Sequence, residues 1–86
     1  MNATDNVLRV LDDALSLQGR ALAFDHNTPL LGVLPELDSM AVLALISGLE
    51  NQFGIAFQDD QLDGAAFATV GSLTALVEQA LADAGA

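Results

Sequence analysis

Three segments of this sequence place their apolar residues three and four positions apart, which is the spacing of one face of an α-helix. A chain of 86 residues fits about one domain, and it must bury these faces against one another. We therefore predict an all-α bundle formed by the whole chain, residues 1–86, as a single domain. The predicted helices run from Asp5 to Leu17, from Ser39 to about Phe53, and onward from a cap at Ser72. Their core-facing residues are Val7, Leu8, Leu11, Ala14 and Leu15; Val42, Leu45, Ile46, Leu49 and Phe53; and Leu73, Leu76, Val77, Ala80 and Leu81.

The long connection between the first two helices has no helical period, yet it is too apolar to be a free linker. Pro29 and Pro35 interrupt helices, and Gly32 favours a turn. We expect an ordered connection laid over the bundle, with one helical turn near Pro29 to Gly32. A fourth, short helix is expected around Gly64 to Ala68, and no strand is predicted.

The charge balance narrows the range of partners. Twelve acidic residues stand against two arginines and no lysine. Such a surface repels phosphate backbones and anionic lipids, so we expect neither nucleic acid binding nor membrane insertion. It favours proteins with basic docking patches, although the charge also serves simply to keep a small apolar domain in solution. No apolar run reaches the roughly 18 residues of a membrane span, and no export signal is evident, so we expect a cytoplasmic protein.

Few residues are able to do chemistry. The chain has no cysteine, and His26 lies in the irregular connection with no serine placed by sequence as its nucleophile. Asp59, Asp60 and Asp63 do not follow the ligand spacing of a calcium loop, and favourable charges near a short helix explain them more simply. We therefore predict no catalytic residue and no metal site.

Ser39 stands where the long connection becomes the second helix. The positive end of the helix dipole and the unpaired first-turn N–H groups tolerate an added phosphodiester at such a position. A helix cap formed by Ser39 or Asp38 explains the same two residues without any modification.

Two segments decide between these interpretations. Asp38-Ser39-Met40, preceded by Leu30-Leu31-Gly32, resembles the Asp-Ser-Leu motif of acyl carrier proteins, and Phe67-Ala68-Thr69-Val70-Gly71-Ser72-Leu73 resembles the junction before their last helix. The resemblance covers about residues 5–82. It implies a four-helix bundle with three main helices, one short helix and a long ordered loop between the first two.

The resemblance also implies a role for the chain. A phosphopantetheinyl transferase would attach 4'-phosphopantetheine from coenzyme A to Ser39, and Asp38 would help place that enzyme. The arm's thiol would then carry acyl groups as thioesters to acyl-activating or acyl-transferring enzymes, as in fatty acid or polyketide biosynthesis, with the carrier acting as a monomer. The candidates to line an apolar cleft for the acyl chain are Ile46, Leu49, Phe57, Leu62 and Phe67, although core packing explains each of them as well.

The exposed face of the second helix departs from the family's usual row of acids. Met40 and Leu43 would form an apolar patch beside Ser39, unless the long loop covers them. We therefore expect a carrier for a dedicated pathway, and Pro35–Val42 resembles carriers encoded with bacterial exosortase and exopolysaccharide systems. The residues expected to meet partners are Met40, Leu43, Ala44, Glu50, Asp59, Asp60 and Asp63. Two alternatives stay open: a peptidyl or aminoacyl carrier, and a small acidic adaptor without a prosthetic group.

Overall fold

A computed structural model describes residues 3–58, 62 and 64–85 of the chain. It confirms the predicted all-α fold, with three α-helices and two short 3₁₀ helices in that described part. The α-helices are α1 (Ala3–Leu15), α2 (Ser39–Phe53) and α3 (Val70–Gly85), and the 3₁₀ helices are Arg20–Ala23 and Gly64–Phe67. None of the helices among these residues is both long enough and apolar enough to cross a membrane.

The apolar faces of the three α-helices form the core, as their spacing predicts. α1 packs against both α2 and α3. One residue of the predicted faces lies further out: Leu81 is 37% exposed because it stands near the end of α3. The fully buried large side chains are Leu11, Leu17, Leu30, Leu45, Leu49, Leu73, Val7, Val70 and Val77.

The end of α1 comes two residues earlier than predicted. Ser16 and Gln18 adopt positive φ angles of 53° and 56°, so the chain leaves the helix there and turns Leu17 into the core. The carboxylate of Asp12 holds this turn by accepting the N–H of Gly19 at 2.8 Å, and it also accepts a backbone N–H of the first 3₁₀ helix. That short helix was not predicted.

The start of α3 also differs from the prediction. The helix begins at Val70, and Ser72 lies inside its first turn. Thr69 and Ser72 cap each other: the Thr69 hydroxyl accepts the N–H of Ser72 at 3.1 Å, and the Ser72 hydroxyl accepts the N–H of Thr69 at 3.0 Å. Ser72 is therefore one half of a reciprocal cap rather than the residue before the helix.

The long connection is held against the start of α3 by backbone hydrogen bonds. Leu30 donates its N–H to the carbonyl of Ala68 at 2.8 Å, and Leu31 donates to Phe67 at 3.0 Å. In the reverse direction, the first N–H groups of α3 bind carbonyls of the connection: Val70 donates to Thr28 at 3.0 Å and Gly71 donates to His26 at 2.9 Å. These bonds satisfy N–H groups that a helix start leaves without partners. They also fix the path of the chain that leads to α2.

The last part of the long connection packs apolar side chains into the core before α2 begins. The N–H of Leu34 binds the carbonyl of Leu30 at 2.9 Å, which forms the single helical turn expected near this position. Leu30 is fully buried and Leu37 is 6% exposed. Because Leu37 is anchored directly before the start of α2, the next residues return to the surface at a fixed place.

Candidate attachment site at the start of α2

Asp38 caps α2 and sets the position of its first residue. Its backbone is extended, with φ −101° and ψ −175°, and its carboxylate accepts the N–H of Ala41 at 2.8 Å. Its carbonyl accepts the N–H of Val42 at 2.9 Å and so opens the helical ladder. The sequence left the cap open between Asp38 and Ser39, and the structure assigns it to Asp38. This leaves the Ser39 hydroxyl free of the capping role.

Ser39 is therefore the first residue of α2, and its side chain is exposed. Neither its N–H nor that of Met40 has an acceptor within the described part of the chain. Both lie at the positive end of the helix dipole, where a negative group attached to the hydroxyl would be stabilised by typically about 0.3–1 kcal/mol. The position is thus open to a modifying enzyme and favourable to a phosphodiester.

An ion pair fixes the approach to this serine. Arg20, in the first 3₁₀ helix, contacts the carboxylate of Glu36 at 2.5 Å and also donates from Nε to the carbonyl of Leu17 at 3.2 Å. The hydrogen bond from Arg20, with a further one from the backbone of Glu36, lowers the pKa of Glu36 below its ordinary value. The second carboxylate oxygen of Glu36 is buried. Sequence reasoning missed this contact because nothing local links two residues that are 16 positions apart.

The predicted apolar patch beside Ser39 is exposed. Met40 is 76% exposed and Leu43 is 62% exposed, so the alternative in which the long loop covers them is wrong. Ala44 is also exposed, whereas Glu50 is half-buried and accepts the N–H of Phe57 at 3.0 Å. Glu50 therefore stabilises the turn after α2, and this bond competes with any contact to a partner. The other docking candidates, Asp59, Asp60 and Asp63, lie outside the described residues.

The five candidates for an acyl cleft all belong to the core or its margin. Leu49 is fully buried and Phe67 is 4% exposed. The other three are half-buried and pack against the core; they are Ile46, Phe57 and Leu62. Their role in holding an acyl chain stays a prediction.

An open groove of about 390 Å³ lies on another side of α2, and none of these five residues lines it. Its walls come from α1 and α2 and include Val10, Ala14, Ala44 and Gly48. A Cβ atom added to Gly48 would lie 2.9 Å from Cγ1 of Val10, so the two helices cross closely at the floor of the groove. No sequence signal pointed to it, because it depends on how two helices cross.

His26, which the sequence singled out as a chemical candidate, has a structural partner. His26 is exposed, and its ring Nε2 lies 3.3 Å from the hydroxyl of Thr4. Among the described residues there is no group of three or more acids, histidines or cysteines arranged to hold a metal ion.

Comparison with known proteins gives two matches. Residues 7–77 match the family described as "Phosphopantetheine attachment site". The fold is similar to the solution NMR structure of a holo acyl carrier protein from Nitrosomonas europaea, with a TM-score of 0.88 and 39% sequence identity over 95% of this chain and 99% of that chain. No curated protein matches the sequence.

Proposed function

Because the chain belongs to the acyl carrier protein family, whose prosthetic group is covalently bound phosphopantetheine, we propose that Ser39 is the residue to which this arm is attached. One observation carries the proposal: the Ser39 hydroxyl is exposed on the first turn of α2, beside first-turn N–H groups that have no acceptor among the described residues. These groups fit the negative charge of a phosphodiester. The acyl carrier fold and the cofactor expected from the sequence are both confirmed, while the attachment residue is a proposal.

Asp38 has two roles in the proposed attachment of the arm. One carboxylate oxygen accepts the N–H of Ala41 and holds the start of α2 in place. The carboxylate is exposed, so its other oxygen can be reached by the transferase that recognises the site. Asp38 thus orients Ser39 through a hydrogen bond within the chain and contributes to recognition through contact with the transferase.

The arm supplies the reactive thiol, on which acyl groups are carried as thioesters. The family is one of carriers, and the chemistry on the cargo belongs to the enzymes that the carrier meets. An α-helix turns by about 100° and rises by about 1.5 Å per residue. Ile46 therefore lies about 20° around the axis of α2 from Ser39 and about 10 Å further along it. This half-buried residue is therefore on the same side of α2 as the attachment residue, which supports Ile46 as part of a shelter for the cargo. The other cleft candidates, Leu49, Phe57, Leu62 and Phe67, belong to the same proposal.

The partners would dock on the apolar patch formed by Met40 and Leu43. Two large exposed apolar side chains within one helical turn of the attachment residue favour partners with an apolar contact, and therefore a dedicated biosynthetic pathway rather than general fatty acid synthesis. The proposal places this monomeric carrier in the cytoplasm, as its sequence predicts. The residues Ala44, Glu50, Asp59, Asp60 and Asp63 complete the proposed docking set.

The docking proposal is tested by Leu43→Asp. A charge in the centre of an apolar contact leaves a desolvated group without a partner, so loading of the arm by the cognate acyl-activating enzyme should slow at least tenfold. Ala82→Asp, at an exposed position of α3, is the matched control and should leave loading unchanged. Equal loading rates for Leu43→Asp and the unmodified chain would exclude the patch as the docking surface.

The attachment proposal is tested by intact mass after incubation with coenzyme A and a broad-specificity transferase. The chain should gain the mass of one phosphopantetheine, and Ser39→Ala should gain none. Ser47→Ala removes another exposed serine of the same helix and should be loaded normally. Absence of any gain in the unmodified chain would favour the adaptor without a prosthetic group.

A further inference from the structure

The groove between α1 and α2 has a floor of small residues and polar groups at its edge. Ala14, Ala44 and Gly48 extend no further than a Cβ atom, so an elongated apolar stem can lie against them. Asp13 of α1 and the amide side chains of Asn51 and Gln52 of α2 line the same groove. All three polar side chains belong to exposed residues. The groove therefore combines an apolar slot with a carboxylate and two amide oxygens.

Charge indicates what this slot accepts. The ion pair between Arg20 and Glu36 does not involve Asp13, and the carboxylate of Asp13 has no ion-pair partner among the described residues. The chain as a whole carries a formal charge of −10. A cationic group is thus the complementary occupant, and it would be drawn toward the groove from a distance.

The groove lies on the side of α2 that faces away from the attachment residue. At 100° per residue, Ala44 and Gly48 lie about 140° and 180° around the helix axis from Ser39, which is the opposite side of α2. The exposed residues Met40 and Ser47 lie about 100° and 80° from Ser39, between the attachment residue and the groove. A protein docked on the patch of Met40 and Leu43 would therefore meet the groove at the edge of its contact.

We propose that the α1–α2 groove receives an arginine side chain of a partner protein, with the guanidinium paired to Asp13 and the aliphatic stem lying on Ala14, Ala44 and Gly48. The inference rests on the proposed carrier function, since it names a second contact for an enzyme that docks beside Ser39. Arginine fits better than lysine because its planar group offers five N–H donors, enough for a carboxylate and the neighbouring amide oxygens.

The test is an NMR titration of the full, ¹⁵N-labelled chain with N-acetyl-arginine amide. The uncharged N-acetyl-citrulline amide, which has nearly the same shape, is the reference probe. The arginine probe should shift the backbone amides of Ala44, Gly48 and Asn51 most strongly and in a saturable way, and the citrulline probe should shift them at least twofold less. Shifts that are equal for the two probes, or that centre on other acidic residues, would overturn the proposal.

Two variants and their controls complete the test. Asp13→Asn should weaken binding of the arginine probe about twofold to fivefold, as expected for the loss of one exposed ion pair, whereas Glu78→Gln on α3 should not. Ala44→Leu should block the slot and abolish the shifts at Gly48, whereas Ala82→Leu should preserve them. Unchanged binding in Asp13→Asn or in Ala44→Leu would contradict the proposal.

Loading of Ser39, monitored by intact-mass spectrometry, tests the carrier function independently of the groove. A chain that accepts the arm but binds no probe in the groove overturns the groove proposal alone. A chain that binds the probe but accepts no arm overturns the carrier function and, with it, the partner that the groove proposal requires.

Discussion

Gly71→Ala tests how the long connection is held in place. A Cβ atom at residue 71 would lie 2.9 Å from the carbonyl oxygen of His26 and 3.5 Å from the Cβ of that residue. The carbonyl cannot retreat alone, because it accepts the N–H of Gly71 at 2.9 Å and belongs to a connection that is also bonded through Thr28 to Val70. The methyl group would therefore push the connection away from the start of α3.

The expected cost follows from three terms. Overpacking costs about 1–3 kcal/mol, and each weakened hydrogen bond adds about 0.5–1.5 kcal/mol. Alanine returns at most about 1 kcal/mol through its higher helix propensity. With one weakened hydrogen bond and the central value of each contribution, we expect Gly71→Ala to lower the free energy of unfolding by about 2 kcal/mol. With an m value of about 1 kcal/mol/M, the urea midpoint should fall by about 2 M.

Gly64→Ala is the matched control for this substitution. A Cβ atom at residue 64 would lie 3.7 Å from Cδ2 of Leu31, which is ordinary van der Waals contact. This variant should therefore unfold at an unchanged or slightly higher urea concentration when followed by far-UV circular dichroism. If Gly71→Ala is as stable as Gly64→Ala, the tight contact with His26 does not constrain the fold as described.

Two further substitutions probe polar groups outside the attachment site. Thr74 is 2% exposed, and its hydroxyl has no hydrogen-bond partner among the described residues. Thr74→Val should therefore raise the free energy of unfolding by about 1 kcal/mol. A lower urea midpoint for this variant would show that the hydroxyl is bonded. The Arg20–Glu36 pair lowers the folded-state pKa of Glu36, so the unfolded chain binds the proton more readily and the pair stabilises the fold above the ordinary glutamate pKa. This contribution is lost as the pH falls through the lowered pKa, and the stability difference between the unmodified chain and Glu36→Gln should shrink over the same range. A difference that is independent of pH would contradict the role given to this pair.

The helices were predictable wherever local residues mark them. Both ends of α2 follow from sequence because capping residues before a helix and a glycine after it are short-range signals. They are found here at Asp38-Ser39 and at Gly54, which adopts a φ of 65°. The predicted start of α3 at a Ser72 cap was wrong because Thr69 is also a good capping residue, and only the geometry of the two bonds between them shows which one precedes the helix. The end of α1 depends on burying Leu17, a long-range effect that the local spacing does not contain.

The features of the candidate site also fall into those with a local sequence signal and those that depend on distant segments. The position of Ser39 at the start of α2 could be predicted because the motif and the helix start are contiguous in sequence, whereas the choice of Asp38 as the cap needed the structure. The Arg20–Glu36 pair and the α1–α2 groove could not, because each depends on segments that the fold brings together from distant positions. The exposure of Met40 and Leu43 was left open by the sequence, since it depended on the path of the long connection.

Tandem mass spectrometry of the transferase-loaded chain tests the central claim most directly. Fragment ions of the peptide that contains Asp38-Ser39-Met40 should carry one phosphopantetheine, and they should place it on Ser39. An arm found on any other residue, or a chain left unmodified under conditions that fully load another acyl carrier protein, would contradict the assignment of Ser39.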